Sequence, residues 1–179
     1  MSRMTIKGYG QVELNNVAFR RDGRIEAQCA LDTTDFASVP AENGMILRVK
    51  KADHKICFAD ASEANQLYAL NYSAEHMYDE RATGLKNFKL EAKDDFLPRV
   101  GYLAAGDLWT SNCVDLGTYA NVSAVVSALA TGAVYAAVGT QGAPVLGAAA
   151  PTVGPVIQII KKTTMPDGQD AFQFQVLKV

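Results

Sequence analysis

The hydrophobic pattern at the end of the chain predicts a β-hairpin. Phe172 and Phe174 alternate with Gln173 and Gln175, and a period of two is typical of a strand with one buried face. The segment "PDG" at 166–168 precedes this run and combines the residues that favour a tight reversal. The sequence therefore predicts two antiparallel strands joined by a turn at 166–168.

A second hairpin is predicted near the start of the chain. Two strand-like runs, at 10–19 and 25–32, flank the dipeptide Asp22-Gly23, which is typical of a two-residue hairpin turn. Its tip carries the candidate partner-contact residues Arg20, Arg21 and Arg24. The alternative interpretation of these arginines is a solvated loop.

The middle of the chain has mixed signals. "MILRVKKADHKICF" at 45–58 favours one or two strands by its β-branched and apolar content. Asp60 and Glu63 resemble a capping box, whereas "LYALNY" alternates, so a short helix or loop at 61–65 and a strand at 66–73 are expected. Residues 85–114 are predicted to form strands separated by turns.

Residues 116–160 contain no charged side chain. Small polar residues and glycines interrupt this segment, so a membrane span is not expected. It predicts short strands at 118–124 and 133–138, with a helical turn at 125–130. An uncharged surface is suited to packing against a second copy of the chain; the candidate self-association residues are Tyr119, Val125, Val126, Tyr135, Val145 and Leu146.

These patterns together predict a mainly β protein, either a compact β-sandwich or a small β-barrel, with at most one or two short helices. Residues 1–12 are predicted to form an N-terminal arm that can lie along a neighbour or add a strand to it; the alternative is a frayed terminus. Its candidate contact residues are Met4, Ile6 and Tyr9. Residues 13–179 are predicted to form one β-rich domain, a length sufficient to bury a core.

Composition narrows the possible partners and the compartment. The formal net charge is −2, which gives no general attraction for nucleic acid or anionic lipid. No apolar run follows the first residues, so no secretory signal is expected and the protein should be made in a cytoplasm. Cys29, Cys57 and Cys113 have no metal or redox spacing, which indicates small buried apolar residues.

No constellation of residues predicts catalysis, a metal site or a cofactor. The two histidines have no ligand spacing. The carboxylate clusters at 75–80 and 94–95 leave open a small hydrolase that uses acid–base chemistry. A sugar-binding β domain is a further alternative, which requires exposed aromatic side chains such as Trp109 or Tyr135.

Three segments resemble small structural proteins of tailed bacteriophages. They are "MYDERATGLKNFKL" (77–90), "FLPRVGYLAAGDLWTSNCVDLGTYANV" (96–122) and "TTMPDGQDAFQFQVLKV" (163–179), and they are similar to segments of the auxiliary, decoration or cement proteins of phage heads. The shared features are turns and strands, and they carry no chemical fingerprint.

The resemblance implies a non-enzymatic virion protein, made in the host cytoplasm, that sits on the outside of a capsid. It implies contact with the major capsid protein and a homo-oligomer, with a trimer favoured, and no cofactor, nucleic acid or membrane. The alternative within the particle is another structural subunit, such as a tail-tube or head-fibre-base protein.

Overall fold

A computed structural model of the chain describes residues 10–59, 66–73, 89–90, 92 and 97–179. Two α-helices are described, α1 (Ala18–Asp22) and α2 (Val122–Thr131), with a 3-10 turn at Lys51–Asp53. The described strands are β1 (Val12–Asn16), β2 (Ile25–Glu26), β3 (Ala30–Leu31), β4 (Ala41–Glu42), β5 (Ile46–Lys50), β6 (Lys55–Phe58), β7 (Tyr68–Asn71), β8 (Lys89–Leu90), β9 (Val100–Tyr102), β10 (Leu108–Ser111), β11 (Val134–Val138), β12 (Pro144–Gly147), β13 (Val156–Thr164) and β14 (Asp170–Lys178).

The strands form two six-stranded sheets and one short pair. Sheet A has the order β1-β10-β14-β13-β11-β12, and every neighbouring pair in it is antiparallel. Sheet B has the order β2-β9-β7-β5-β6-β3, with one parallel pair, β3 and β6. Strands β4 and β8 pair separately. The predicted mainly β fold is confirmed, in the form of a β-sandwich.

The main core lies between the two sheets. It contains side chains from sheet A, such as Trp109 and Phe174, together with Ile46 and Leu70 from sheet B. Trp109 is fully buried, and its ring stacks on that of Phe174 with 5.4 Å between the centroids. The alternation of residues along β14 places Phe172, Phe174 and Val176 in this core, as their spacing predicts.

Sheet B is buried on its other face as well. Ile46 belongs to the main core, whereas the next residue, Leu47, belongs to a second cluster with Met45 and Phe36. Successive side chains in a strand point to opposite faces, so a strand with no polar alternation needs cover on both sides. The run at 45–47 has no polar residue, and its side chains are buried on both faces of sheet B.

The C-terminal hairpin is confirmed, but the N-terminal hairpin prediction is wrong. Strands β13 and β14 pair across the turn at 166–168, where Gly168 has φ +84°. By contrast, β1 pairs with β10 and β2 pairs with β9. Gly23 does adopt a left-handed conformation, with φ +69°. A glycine in this conformation can either end a helix or form a hairpin turn, and here it ends helix α1.

The uncharged segment 116–160 contains more helix than its sequence predicts. The strand predicted at 118–124 is wrong, because Asn121 accepts a hydrogen bond from the Ala124 N–H and begins helix α2 there. The strand predicted at 133–138 is confirmed as β11. Two strands are confirmed in 45–58, and β7 lies within the strand predicted at 66–73. The helix or loop predicted at 61–65 lies outside the described residues.

Candidate interaction surfaces

The described chain begins in a cluster of bonded polar residues, here called the anchor cluster: Gly10, Gln11, Glu42, Asn112, Asp167 and Gln169. All of them are buried except Asp167, which is exposed on the turn of the last hairpin. The Gly10 N–H donates to Glu42 Oε2 at 2.7 Å, and the Gln11 N–H donates to Asn112 Oδ1 at 2.6 Å. Glu42 and Asn112 are both buried. Breaking either bond would leave a buried backbone N–H without its partner, which is costly, so the backbone is held firmly at this point.

The anchor cluster also connects the start of the domain to its last hairpin. Gln11 Nε2 donates to Asp167 Oδ2 at 2.8 Å, and Asn112 Nδ2 donates to Gln169 Oε1 at 3.1 Å. Gln169 also donates to Asp167 through its side-chain amide. Four distant parts of the sequence, at 10–11, 42, 112 and 167–169, thus meet in one network. A Cβ at Gly10 would come within 2.3 Å of the Asn43 carbonyl oxygen, so only glycine fits there.

Residues 10–12 were assigned to the arm by their sequence, yet they belong to the domain. Gly10 and Gln11 are buried, and Val12 begins β1 and is fully buried in the core. The remaining arm candidates, Met4, Ile6 and Tyr9, lie outside the described residues. The sequence pattern missed the anchor cluster because isolated glutamines and asparagines beside strands carry no periodic signal.

Helix α1 carries Arg20 and Arg21, and Arg24 follows directly after the glycine that ends the helix. The Ala18 N–H donates to Asp107 Oδ1 at 2.6 Å, and Asp107 Oδ2 accepts from the Ala104 N–H at 2.8 Å. This carboxylate therefore takes the place of the missing side-chain cap at the start of α1. Phe19 is fully buried and its ring lies 5.2 Å from that of Tyr72.

Arg20, Arg21 and Arg24 are all exposed, and the fold brings them together at one edge of sheet B. Asp22 lies 3.5 Å from Arg21 and 3.9 Å from Arg24, measured between nitrogen and carboxylate oxygen. Exposed pairs of this kind are weak and are screened by salt. Residues 20–24 contain three arginines and one aspartate, so the formal charge of this segment is +2.

The candidate self-association residues are divided between surface and core. Val126 on α2 is exposed, at 43% of its maximum, and Tyr119, Tyr135 and Val145 are half-buried. Val125 and Leu146 are buried in the main core. Their side chains therefore contribute to packing within the monomer and not to its surface.

The exposed face of α2 is less polar than its sequence suggests. The Ser127 hydroxyl donates to the Ser123 carbonyl oxygen, and the Thr131 hydroxyl donates to the Ser127 and Ala128 carbonyl oxygens. These hydroxyls are satisfied within the helix. Beside Val126, the face therefore carries two hydroxyls that are bonded within the helix, and the helix has no charged residue.

The outer face of sheet A carries a row of uncharged side chains across five strands. The register aligns Leu108, Gln175, Gln158, Tyr135 and Gly147 on β10, β14, β13, β11 and β12 respectively. All five are half-buried. We call this set the outer-face row. Trp109, the other aromatic residue considered for sugar binding, is fully buried in the core, so that part of the alternative is wrong.

The described residues offer little reactive chemistry. Cys29, Cys57 and Cys113 are all buried, and burial raises the pKa of the Cys29 and Cys57 thiols, so the prediction of buried cysteines is confirmed. The pKa of the Asp32 carboxyl is lowered to about 2, mainly by its hydrogen bond from the Lys55 ammonium at 2.8 Å. A surface ion pair accounts for that shift.

Among the residues that the structure describes, no group of three or more His, Cys, Asp or Glu side chains could hold a metal ion. The described helices include none that is long and apolar enough to cross a membrane. The carboxylates at 75–80 and 94–95, on which the hydrolase alternative depends, lie outside the described residues.

Comparison with known proteins gives no relative: no protein-family model, curated protein sequence or solved structure matches the chain.

Proposed function

We propose that this chain is a non-enzymatic structural protein of a tailed-phage particle, a capsid decoration or cement protein. It binds the outer surface of the head and bridges neighbouring copies of the major capsid protein. The resemblance of 77–90, 96–122 and 163–179 to such proteins supports this proposal, together with the mainly β fold. The protein is made in the host cytoplasm and functions in the virion.

The observation that carries the proposal is the anchor cluster. A clamp that grips a neighbour through an extension needs a fixed point where that extension joins the domain. Gly10 and Gln11 are held there by three hydrogen bonds of 2.6–2.8 Å to buried or turn side chains. Residues 1–9 are joined to this point, and we assign their Met4, Ile6 and Tyr9 side chains to the capsid contact.

The turn that carries Arg20, Arg21 and Arg24, here called the basic turn, is a second capsid contact in this proposal. Its position is fixed by the buried Phe19 and by the Asp107 bond to Ala18. Once one contact has formed, the second contact forms within the same complex. The effective concentration of the second binding site is therefore raised. A protein that binds the assembled lattice better than free subunits then stabilises the shell by mass action.

The location of the protein is tested by cryo-electron microscopy of purified particles from the source, with mass spectrometry to identify the chain. Density outside the head lattice, between capsid subunits, is the expected result. Density in the tail or at a fibre base would instead support another virion subunit. Absence of the chain from every particle would refute a structural role in the virion.

The arm contact is tested by deleting residues 1–9 and measuring occupancy of heads after washing in mild denaturant. The deletion variant should be released where the full-length protein stays bound. Equal unfolding midpoints for the two isolated proteins are the necessary control. Unchanged occupancy would refute the role of the arm while leaving the basic turn as the contact.

We also propose that the protein forms a homotrimer through the exposed face of α2 around Val126. Light scattering of the isolated protein at tens of micromolar should give three times the chain mass, and Val126→Asp should reduce it because a buried charge is costly. A monomer for the wild-type protein would refute a stable trimer in solution.

A further inference from the structure

The outer-face row contains polar side chains that make no hydrogen bond in the part of the chain that the structure describes and that belong neither to the anchor cluster nor to the basic turn. Within the described residues, the side chains of Tyr135, Gln158 and Gln175 have no hydrogen-bond partner. Gln158 lies directly between the other two in the register. Each glutamine amide can donate and accept, and the tyrosine hydroxyl can do both. The row therefore offers several unused hydrogen-bonding groups side by side.

Tyr135 has a glycine as its cross-strand partner towards the edge of sheet A. Its partner on the edge strand β12 is Gly147, and a Cβ added at Gly147 would meet nothing within 4 Å. Glycine at this position leaves that side of the ring uncovered by a cross-strand neighbour. Tyr135 is half-buried, lies one strand in from the edge of the sheet and has Gln158 as its partner on the other side.

The charged groups of this face lie at its margins. Glu13 is opposite Thr110, Lys161 is opposite Gln173, and Lys178 is opposite Val156. The rows that contain these residues flank the outer-face row, which has no formal charge itself. A neutral ligand is favoured here, since an ionic ligand would lose hydration without gaining a close counter-charge.

The size of the uncharged area decides whether a protein or a smaller oligomer fits this face. The five strands span about 19 Å at about 4.8 Å spacing, and four residue steps of about 3.3 Å span about 13 Å, which gives a patch of roughly 250 Å². A stable protein partner needs about 800 Å² on each side. The patch is about a third of that size, but it suits a short stretch of an extended oligomer with hydroxyl groups.

We propose that the outer-face row binds a neutral oligosaccharide. Tyr135 stacks on the apolar face of a sugar ring, with the space beside Gly147 receiving the edge of that ring. Gln158 and Gln175 exchange hydrogen bonds with hydroxyl groups of the following sugars. The inference is independent of the proposed capsid contact, because it uses none of the residues assigned to that contact.

The test is affinity electrophoresis of the full chain in native gels that contain hydroxyethyl cellulose, soluble starch or galactomannan. Retardation is expected in at least one of these neutral gels and not in a gel with anionic alginate. Tyr135→Ala should lower the apparent affinity about tenfold, the effect of losing one stacked ring. Tyr135→Phe, which keeps the ring, should retain most of it.

Two further variants test the proposal if Tyr135→Ala folds poorly. Gly147→Leu adds a side chain to open space and should block the site without removing a contact. The double variant Gln158→Ala/Gln175→Ala should also lose retardation. The matched control is Gln28→Ala, which removes an exposed glutamine outside the row and should leave retardation unchanged.

Several results would overturn the proposal. They are no retardation in any of the three neutral gels, retardation in alginate alone, or equal retardation of wild type, Gly147→Leu and Tyr135→Ala. Sedimentation velocity provides a separate check. If Tyr135→Ala dissociates an oligomer of the wild-type protein, the face is an interface between copies and the sugar proposal is wrong.

Discussion

A methyl group added at Gly101 should destabilise the domain through its contact with Phe19. Three atoms of the Phe19 ring lie 2.1–2.4 Å from the position that a Cβ of residue 101 would take. The ring is fully buried and cannot swing into solvent. Gly101 is also paired with Ile25 on one side and Leu70 on the other, so its backbone cannot retreat. Overpacking of this kind costs about 1–3 kcal/mol.

The assay is urea unfolding followed by the fluorescence of Trp109, the single tryptophan, which is fully buried. With a slope of about 2 kcal/mol per molar urea, the Gly101→Ala midpoint should fall by roughly 0.5–1.5 M. Gly132→Ala is the matched control, because a Cβ there meets nothing within 4 Å and φ is −173°. Its stability should change by no more than about 0.5 kcal/mol.

A double-mutant cycle identifies Phe19 as the cause. Phe19→Ala alone should cost about 3–5 kcal/mol because it leaves a cavity. Adding Gly101→Ala to that background should cost almost nothing, since the clashing ring is gone. An equal cost of Gly101→Ala in both backgrounds, or no cost with Phe19 present, would refute the reasoning.

Two further predictions concern the cysteines and one surface ion pair. The buried thiols of Cys29, Cys57 and Cys113 should not react with a thiol reagent in the native protein but should all react in denaturant, the positive control; rapid native labelling would contradict their burial. Asp32→Asn should lower Tm at pH 6, because the carboxylate bonded to Lys55 has its pKa lowered to about 2. That stabilisation is present above about pH 4 and is lost towards pH 2, so a Tm difference that is constant from pH 6 to 2 would contradict it.

Local patterns predicted the elements better than they predicted strand partners. The alternation of Phe172 and Phe174 with glutamines specified both the strand and its buried face, because burial and side-chain period act over a few residues. The Asp22-Gly23 signal was ambiguous, since a left-handed glycine ends a helix as readily as it turns a hairpin. The burial of Phe19 against Gly101, a contact distant in sequence, decided between the two.

The candidate surfaces depended on the fold to different degrees. Arg20, Arg21 and Arg24 are neighbours in the sequence and were found without a structure. The outer-face row could not be found that way, because Tyr135, Gln158 and Gln175 belong to three strands and become adjacent only through the register. The anchor cluster likewise joins Gln11 to Asn112, which are 101 residues apart.

The sequence by itself determined the mainly β class, the C-terminal hairpin, the burial of the cysteines and the uncharged character of 116–160, because these follow from composition and short-range periodicity. Only the tertiary structure decided that β1 pairs with β10, that Val125 and Leu146 lie in the core, and that unbonded amides align beside Tyr135. Strand pairing is decided by the total apolar surface and hydrogen bonds that the whole chain can bury at once. No short segment contains that information.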